Sequence, residues 1–201
     1  GIHNLQEAFE EGYFASHHGV DPKAIDYLEG FAGPVEGDTM AWDAMMAFLN
    51  THDMAQATNY ATLQSMMDPA NYINFKVCEI YYYRWDIGNH RLWRPRTPEG
   101  RFRWILFDCD VGWGGFWSVP PAYAFPMLAY DLEPNGPWTQ YEQNPGGNDH
   151  NSPVVTFLLR TLVNNPRFRG DFINRFADVL NADFEPVRVM RRIDQFAARI
   201  A

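Results

Sequence analysis

Apolar residues recur three and four positions apart over much of this chain, which is the spacing of helices that bury one face. The pattern predicts a helix over Thr39–Asn50, one or two short helices within Asp53–Met67, and a longer helix over Asp68–Tyr81. Three further helices are predicted near the end of the chain, over Val154–Asn164, Phe168–Leu180 and Val187–Ile200. Each of these last four helices begins near a polar residue followed by Pro, the order that caps a first turn.

The pattern is less regular over residues 1–37. Ile2–Phe14 is expected to begin as a turn or an edge strand and to become a short helix that ends at His17-His18-Gly19. The pair Asp21-Pro22 predicts the start of a second helix. Gly30–Gly37 contains a Gly-Pro pair and predicts a loop.

A β-hairpin is predicted from two strands, Arg91–Arg94 and Arg101–Phe107, which are joined by a turn at Thr97–Gly100. Residues 111–151 are rich in Gly, Pro and aromatic residues and predict a long irregular segment with one helical turn near 122–130. A segment of this length in a small domain is usually functional or a lid. The predicted fold class is therefore α+β and mainly α, with a small β-hairpin in a single domain.

Composition and charge narrow the classes of function. Hydrophobic residues make up 46% of the chain and charged residues 20%, as in folded globular proteins. The formal net charge of −9 argues against a non-specific nucleic-acid surface, although metal ions can bridge an acidic protein to phosphates. No stretch approaches ~20 apolar residues, so no membrane span is predicted. The two cysteines, Cys78 and Cys109, provide neither a zinc framework nor a dense disulfide scaffold.

Four polar residues flank the predicted hairpin. Asp86 and Asn89 precede it in a loop, and Asp108 and Asp110 follow its second strand. Because alternate residues of a strand point to opposite faces, the last two carboxylates can face one ion only if the strand already ends in a turn. Gly112 and the glycines after it favour such a turn. The order Asp, Asn, hairpin, Asp is the order in which protein kinases supply a base and metal-binding groups for phosphoryl transfer.

Several segments of the sequence together resemble a known family: HNLQEAFEEGYFASHHGVDPKAIDYLEG, DPANYINF with LWR, RFRWILFDCDVGWGG, and FLLRTLVNNPRFRGDFINRFADVLNADF. That family is the CotH kinases, the relatives of spore coat protein H. The resemblance implies an atypical protein-kinase-like fold that uses ATP and Mg²⁺ to phosphorylate Ser on protein substrates. It also implies a location on a spore coat or cell surface, or secretion.

The resemblance assigns a role to each of the four flanking residues. Asp86 corresponds to the catalytic-loop Asp and Asn89 to the metal-binding Asn. Asp108 corresponds to the metal-binding Asp, and Asp110 to the second acid of the family's D-x-D pair. Glu7, near the expected hinge, is a further candidate for nucleotide contact, although an exposed carboxylate at a helix start is the favoured interpretation.

His90 is expected either to orient the loop that carries Asn89 or to contact a phosphate. No segment resembles the nucleotide-binding N-lobe of a kinase, because Lys23 and Lys76 are the only lysines and both are predicted to be helical. We therefore expect residues 1–201 to be a single C-lobe domain without the N-lobe.

Two alternatives stay open. The spacing from Asp86 to Asn89 is shorter than in the family, and an ungapped alignment from Leu92 backwards places Arg84 at the catalytic position. A site altered in this way predicts a pseudokinase-like surface or interaction protein without catalysis. A metal-dependent hydrolase that uses the same acids is the third interpretation.

Overall fold

Eight α-helices and four β-strands occur in the part of the chain that the computed structural model describes, which is residues 7–30, 32–84, 88–114, 124–135, 150 and 152–200. The helices are α1 (Glu11–His18), α2 (Met40–Thr51), α3 (Ala57–Leu63), α4 (Pro69–Tyr82), α5 (Met127–Leu132), α6 (Leu158–Leu162), α7 (Pro166–Asn181) and α8 (Pro186–Ile200). The strands are β1 (Ile25–Glu29), β2 (Gly33–Glu36), β3 (Arg91–Pro95) and β4 (Arg103–Ile105). The fold is α+β and mainly helical, as the sequence predicted.

The strands form one antiparallel sheet in the order β2-β1-β3-β4. Leu92 of β3 pairs with Trp104 of β4, and both pack on the helical core. The adjacent Trp93 and Ile105 point to the opposite face, where Phe14 of α1 covers them. The sheet is therefore buried on both faces at β1, β3 and β4, while β2 is largely exposed, and the predicted hairpin forms the β3-β4 edge.

The prediction for residues 21–37 was wrong. Asp21 does not begin a helix; its side chain accepts a hydrogen bond from the backbone N–H of Lys23 at 2.9 Å, and the chain then enters β1. Five residues of β1 pair with β3, so β-ladder hydrogen bonds distant in sequence outweigh the local Asp-Pro signal. The predicted loop at Gly30–Gly37 contains β2, because Gly33 with φ 91° permits the reversal between the strands.

Helix α4 is the central helix, and its start is the one predicted. Asp68 caps it by accepting a hydrogen bond from the N–H of Asn71 at 3.1 Å, and Pro69 occupies the first turn. The Asn71 side chain also accepts from the N–H of Trp104 at 2.6 Å and donates to its carbonyl at 3.2 Å. These two bonds join α4 to β4 and fix the strand whose end carries Asp108.

Helices α7 and α8 begin at the Pro residues that predicted them. Asn165 caps α7 through bonds from the N–H groups of Arg167 and Phe168, at 3.0 and 3.1 Å. Residues 153–157 form a π-helical turn before α6, where a continuous α-helix was expected. Helix α8 forms as predicted, but its apolar side chains Met190, Ile193 and Phe196 are exposed.

Within the predicted irregular segment 111–151, α5 forms close to the expected helical turn, while most other residues of the segment lie outside the described ranges. Cys78 and Cys109 are both free thiols. Among the helices described, none combines the length and the apolar character that crossing a bilayer requires.

Candidate functional site

Asn89 and Asp108 meet at one end of the sheet. Asn89 lies just before β3, and Asp108 follows the end of β4. The Asn89 side-chain amide donates a hydrogen bond to Oδ2 of Asp108 at 3.1 Å. The antiparallel pairing of β3 with β4 places the start of one strand beside the end of the other, so the hairpin itself brings these two groups together.

The turn that the two aspartates require is present. The β-ladder ends at Ile105, and Asp108 has φ 51°, in the left-handed region that turns the chain sharply. Partial desolvation of the Asp108 carboxyl raises its pKa although the residue is exposed, and the charge of Asp110 and a hydrogen bond with it raise the pKa further. The bond from Asn89 opposes this shift without cancelling it. The two carboxylates are therefore adjacent and repel each other when both are ionised.

A cleft of about 710 Å³ opens beside Asp108. Glu7 and Phe9 line the side formed by the N-terminal segment, and Arg91 and Phe107 line the side formed by the sheet. The structure thus brings Glu7 and Asp108, both predicted site residues, to the same cleft. The Glu7 carboxylate also lies 2.8 Å from Nε2 of His17.

His90 does not face this cleft. Its side chain is buried, and its ring packs edge-on against Phe75 of α4 at 5.9 Å. It lines a small internal space next to Lys76 and Glu79. This placement does not bring the imidazole to the cleft, and the role of orienting the loop stays a prediction. Asp86, predicted to be the catalytic base, lies outside the described residues.

Arg84, the alternative at the catalytic position, is fully buried. It follows Tyr83, which ends α4 in the left-handed conformation. Its guanidinium lies 2.6 Å from the Glu79 carboxylate and donates to the backbone carbonyl of Asp108 at 3.1 Å. It also donates to the backbone carbonyl of Asn89. Arg84 is thus part of the support beneath the loop and does not stand in the cleft.

Lys76 and Asp131 complete a buried group of charges with Glu79 and Arg84. The Lys76 ammonium lies 3.0 Å from both the Glu79 and Asp131 carboxylates, and none of the four side chains is more than 2% exposed. Burial lowers the pKa of Lys76, but the charges of Asp131 and Glu79 outweigh this effect and leave it raised. Burial would raise the pKa of Glu79, yet Lys76 and Arg84 hold it below its usual value.

Asp131 differs from Glu79, because burial raises its pKa to about 6 despite the charge of Lys76. Glu79 forms ion pairs with two cations, Lys76 and Arg84. Among the described contacts, Asp131 forms an ion pair with Lys76 alone. We call these four residues, Lys76, Glu79, Arg84 and Asp131, the buried charge group. It connects α4 and α5 to the loop that carries Asn89.

The donor set at the sheet end fits Mg²⁺ bound together with a nucleotide. In the described part of the chain, no three His, Cys, Asp or Glu side chains cluster in a way that would hold a metal ion unaided. Mg²⁺ rarely uses such a protein cage; it binds through one or two carboxylates and takes its other ligands from waters and phosphates. Asp108, Asp110 and the Asn89 amide offer oxygen donors of this kind, and the excess negative charge there favours a cation.

The sequence alone did not reveal the buried charge group. Lys76 and Glu79 are three positions apart on a helix whose other residues are mostly apolar, and that spacing places both on one face. Charged residues on the buried face of a central helix require charged or polar partners. This requirement was the signal in the sequence that could have revealed the group. Their partner Asp131 comes from α5, in a region that the sequence predicted only as a helical turn.

Comparison with known proteins identifies a family that the chain matches. A family model described as CotH kinase protein matches residues 13–201, which is most of the chain. No curated protein and no solved structure matches it significantly.

Proposed function

The chain belongs to the CotH kinase protein family, and from that premise we propose that it transfers the γ-phosphoryl group of ATP to a Ser or Thr hydroxyl of a protein substrate. In this proposal residues 1–201 are the C-lobe portion of a protein-kinase-like domain. The observation that supports it best is the hydrogen-bonded pair of Asn89 and Asp108. Asp108 lines an open cleft, and Asp110 is close enough to raise its pKa.

In this proposal Asn89 and Asp108 would hold Mg²⁺, and Asp110 would support them. Bound Mg²⁺ neutralises charge on the phosphates and on the transferring group. Asp108 and Asp110 are suited to this role because a cation would relieve their mutual repulsion, which adds to desolvation in raising the pKa of Asp108. In this proposal Glu7, which lines the same cleft as Asp108, would contact the nucleotide.

Asp86 serves as the base, a role that rests on the family resemblance. A bond forms from the acceptor oxygen to the γ-phosphorus while the bond from that phosphorus to the departing ADP oxygen breaks. The hydroxyl proton passes to the Asp86 carboxylate. His90 supports the loop from the interior.

A second candidate function is a non-catalytic surface or interaction protein. Helix α8 favours it, because its exposed Met190, Ile193 and Phe196 form an apolar stripe of the kind found at protein interfaces. The buried position of Arg84 favours the kinase, since the guanidinium does not occupy the cleft in place of a catalytic acid.

The experiment that separates the two functions uses the purified protein, labelled ATP, Mg²⁺ and a Ser- and Thr-containing acceptor protein. We expect Mg²⁺-dependent transfer of label to Ser or Thr. We also expect ATP and Mg²⁺ together to raise the melting temperature, since a ligand at about 100 times its Kd stabilises the folded state by about 2.7 kcal/mol. EDTA is the matched control and abolishes both effects.

Each other outcome points to a different function. Stabilisation without transfer identifies a nucleotide-binding pseudokinase. Release of free phosphate without labelled protein identifies a hydrolase. If ATP with Mg²⁺ neither stabilises the protein nor labels an acceptor, the kinase proposal is wrong and the interaction protein becomes the better conclusion.

A further inference from the structure

We propose that Arg84 is the positioning residue of the candidate metal site, and that Glu79 holds Arg84 in place for this task. The inference rests on the proposed function, because it concerns the same Asn89 and Asp108. It assigns to Arg84 a role different from that of the catalytic position suggested by alignment.

The hydrogen bonds of Arg84 connect the two residues of the site. One guanidinium donates to the backbone carbonyls of both Asn89 and Asp108, the two residues whose side chains meet at 3.1 Å. These residues are 19 positions apart in sequence, so a single side chain joins the start of β3 to the turn after β4. Because the planar guanidinium presents several N–H groups in fixed directions, the two carbonyls are set relative to each other.

The turn at Asp108 needs this support. A non-glycine residue with φ 51° has a less favourable backbone than an extended one, and it persists when surrounding contacts determine it. Asp108 itself is exposed on the side chain, so packing of that side chain does not hold the turn. The bond from Arg84 to its carbonyl holds the turn from beneath.

Glu79 fixes the guanidinium in turn. It lies one turn before the end of α4 and pairs with Arg84 at 2.6 Å, while the carbonyl of Glu79 accepts from the backbone N–H of Arg84 at 3.0 Å. The Lys76 ammonium lies 3.0 Å from the other carboxylate oxygen of Glu79. The backbone positions of Asn89 and Asp108 are therefore set by contacts that begin at the central helix α4, and not by contacts at the protein surface.

The test compares two variants with the wild type. Arg84→Lys keeps the charge opposite Glu79 but loses the forked donor geometry. Glu79→Gln/Arg84→Met removes both partners, so no unpaired charge is left inside, and Lys76 keeps Asp131. Arg94→Lys is the matched control, because Arg94 also donates to two backbone carbonyls, those of Pro95 and Thr97, away from the site.

Two readouts are made on each protein. Hydrogen exchange of residues 88–90 and 108–112 reports the loop directly and needs no activity. We expect exchange there to rise by about tenfold or more in both Arg84 variants. Mn²⁺ affinity reports the site, and we expect it to fall by about 10–100-fold, the usual effect of losing a group that orients a metal ligand. Arg94→Lys is expected to change neither readout.

The outcomes separate this inference from the proposed function. If the wild type binds Mn²⁺ and the double variant binds it equally, with unchanged loop exchange and an unchanged melting temperature, the positioning role is wrong while the kinase proposal stands. If the wild type binds no Mn²⁺ with ATP present, both are wrong. Faster loop exchange with weaker Mn²⁺ binding in a folded double variant supports the inference.

Discussion

Asp108→Asn is expected to lower the rate of phosphoryl transfer from ATP by about three orders of magnitude, the scale of losing a group that stabilises transition-state charge. The substitution keeps the shape of the side chain and an oxygen that can accept the bond from Asn89. It removes the negative charge of the Asp108 carboxylate, which in this proposal would bind Mg²⁺. The measurement is the initial rate of label transfer to the acceptor protein at saturating ATP and Mg²⁺.

The stability of this variant should not fall. Asp108 is exposed, and its pKa is raised first by partial desolvation and then by the charge of Asp110, so a neutral amide avoids the desolvation cost and removes a repulsion. Asp178→Asn, on the exposed surface of α7, is the matched control and should leave the rate unchanged. A rate for Asp108→Asn within about twofold of the wild type would exclude Asp108 from the metal site.

Lys76→Met is expected to lower the free energy of unfolding by about 3–5 kcal/mol at pH 7–8, the cost of removing one partner from a buried charge group. It leaves Asp131 without its paired cation and leaves Glu79 with Arg84 alone. The loss should be measured by urea denaturation followed through tryptophan fluorescence. Lys23, the other lysine, pairs with Glu11 and Glu36 at the surface, and Lys23→Met should change the stability little.

The effect of Lys76→Met should shrink at pH 5. A carboxyl group whose pKa is raised by folding binds more protons when folded, so its contribution to stability falls as the pH rises through the folded pKa. Asp131 has a pKa of about 6 with Lys76 present, and loss of Lys76 raises it further. The penalty is therefore largest above pH 6 and smaller where Asp131 is protonated in both proteins. An equal loss at pH 5 and pH 8 would contradict this assignment.

A double variant tests independently whether the unpaired Asp131 causes this loss of stability. Lys76→Met/Asp131→Leu removes both members of one ion pair and leaves Glu79 paired with Arg84. Replacing a whole buried pair by apolar groups is often neutral, so most of the lost stability should return. If the double variant is less stable than Lys76→Met, the loss has another origin than the unpaired Asp131.

Local signals in the sequence were sufficient for the elements on which the site is built. The Asp68 cap and the Pro after it begin α4 where expected, and the turn at Thr97–Gly100 produces the β3-β4 hairpin. That hairpin was also sufficient to predict that Asn89 and Asp108 come together. In each case the residues that determine the element are close together in the sequence, so the local sequence pattern was enough to predict it.

Features that depend on distant parts of the chain were not predictable in this way. Strand β1 forms because it pairs with β3, far along the chain, although the Asp21-Pro22 pair just before it resembles a capped helix start. The pairing of Lys76 with Asp131 likewise depends on how α5 packs on α4. Arg84 shows the same limit, because alignment placed it at a catalytic position while its contacts make it part of the interior.

The most direct test of the central claim is to locate the metal. Crystals of the protein with Mn²⁺ and a non-hydrolysable ATP analogue would show the ion by its anomalous scattering. We expect one Mn²⁺ at a bonding distance of about 2.1 Å from an Asp108 oxygen, next to Asn89 and the analogue's phosphates. An analogue bound with its metal elsewhere, and no ion at Asp108, would contradict the claim that this end of the sheet is the phosphoryl-transfer site.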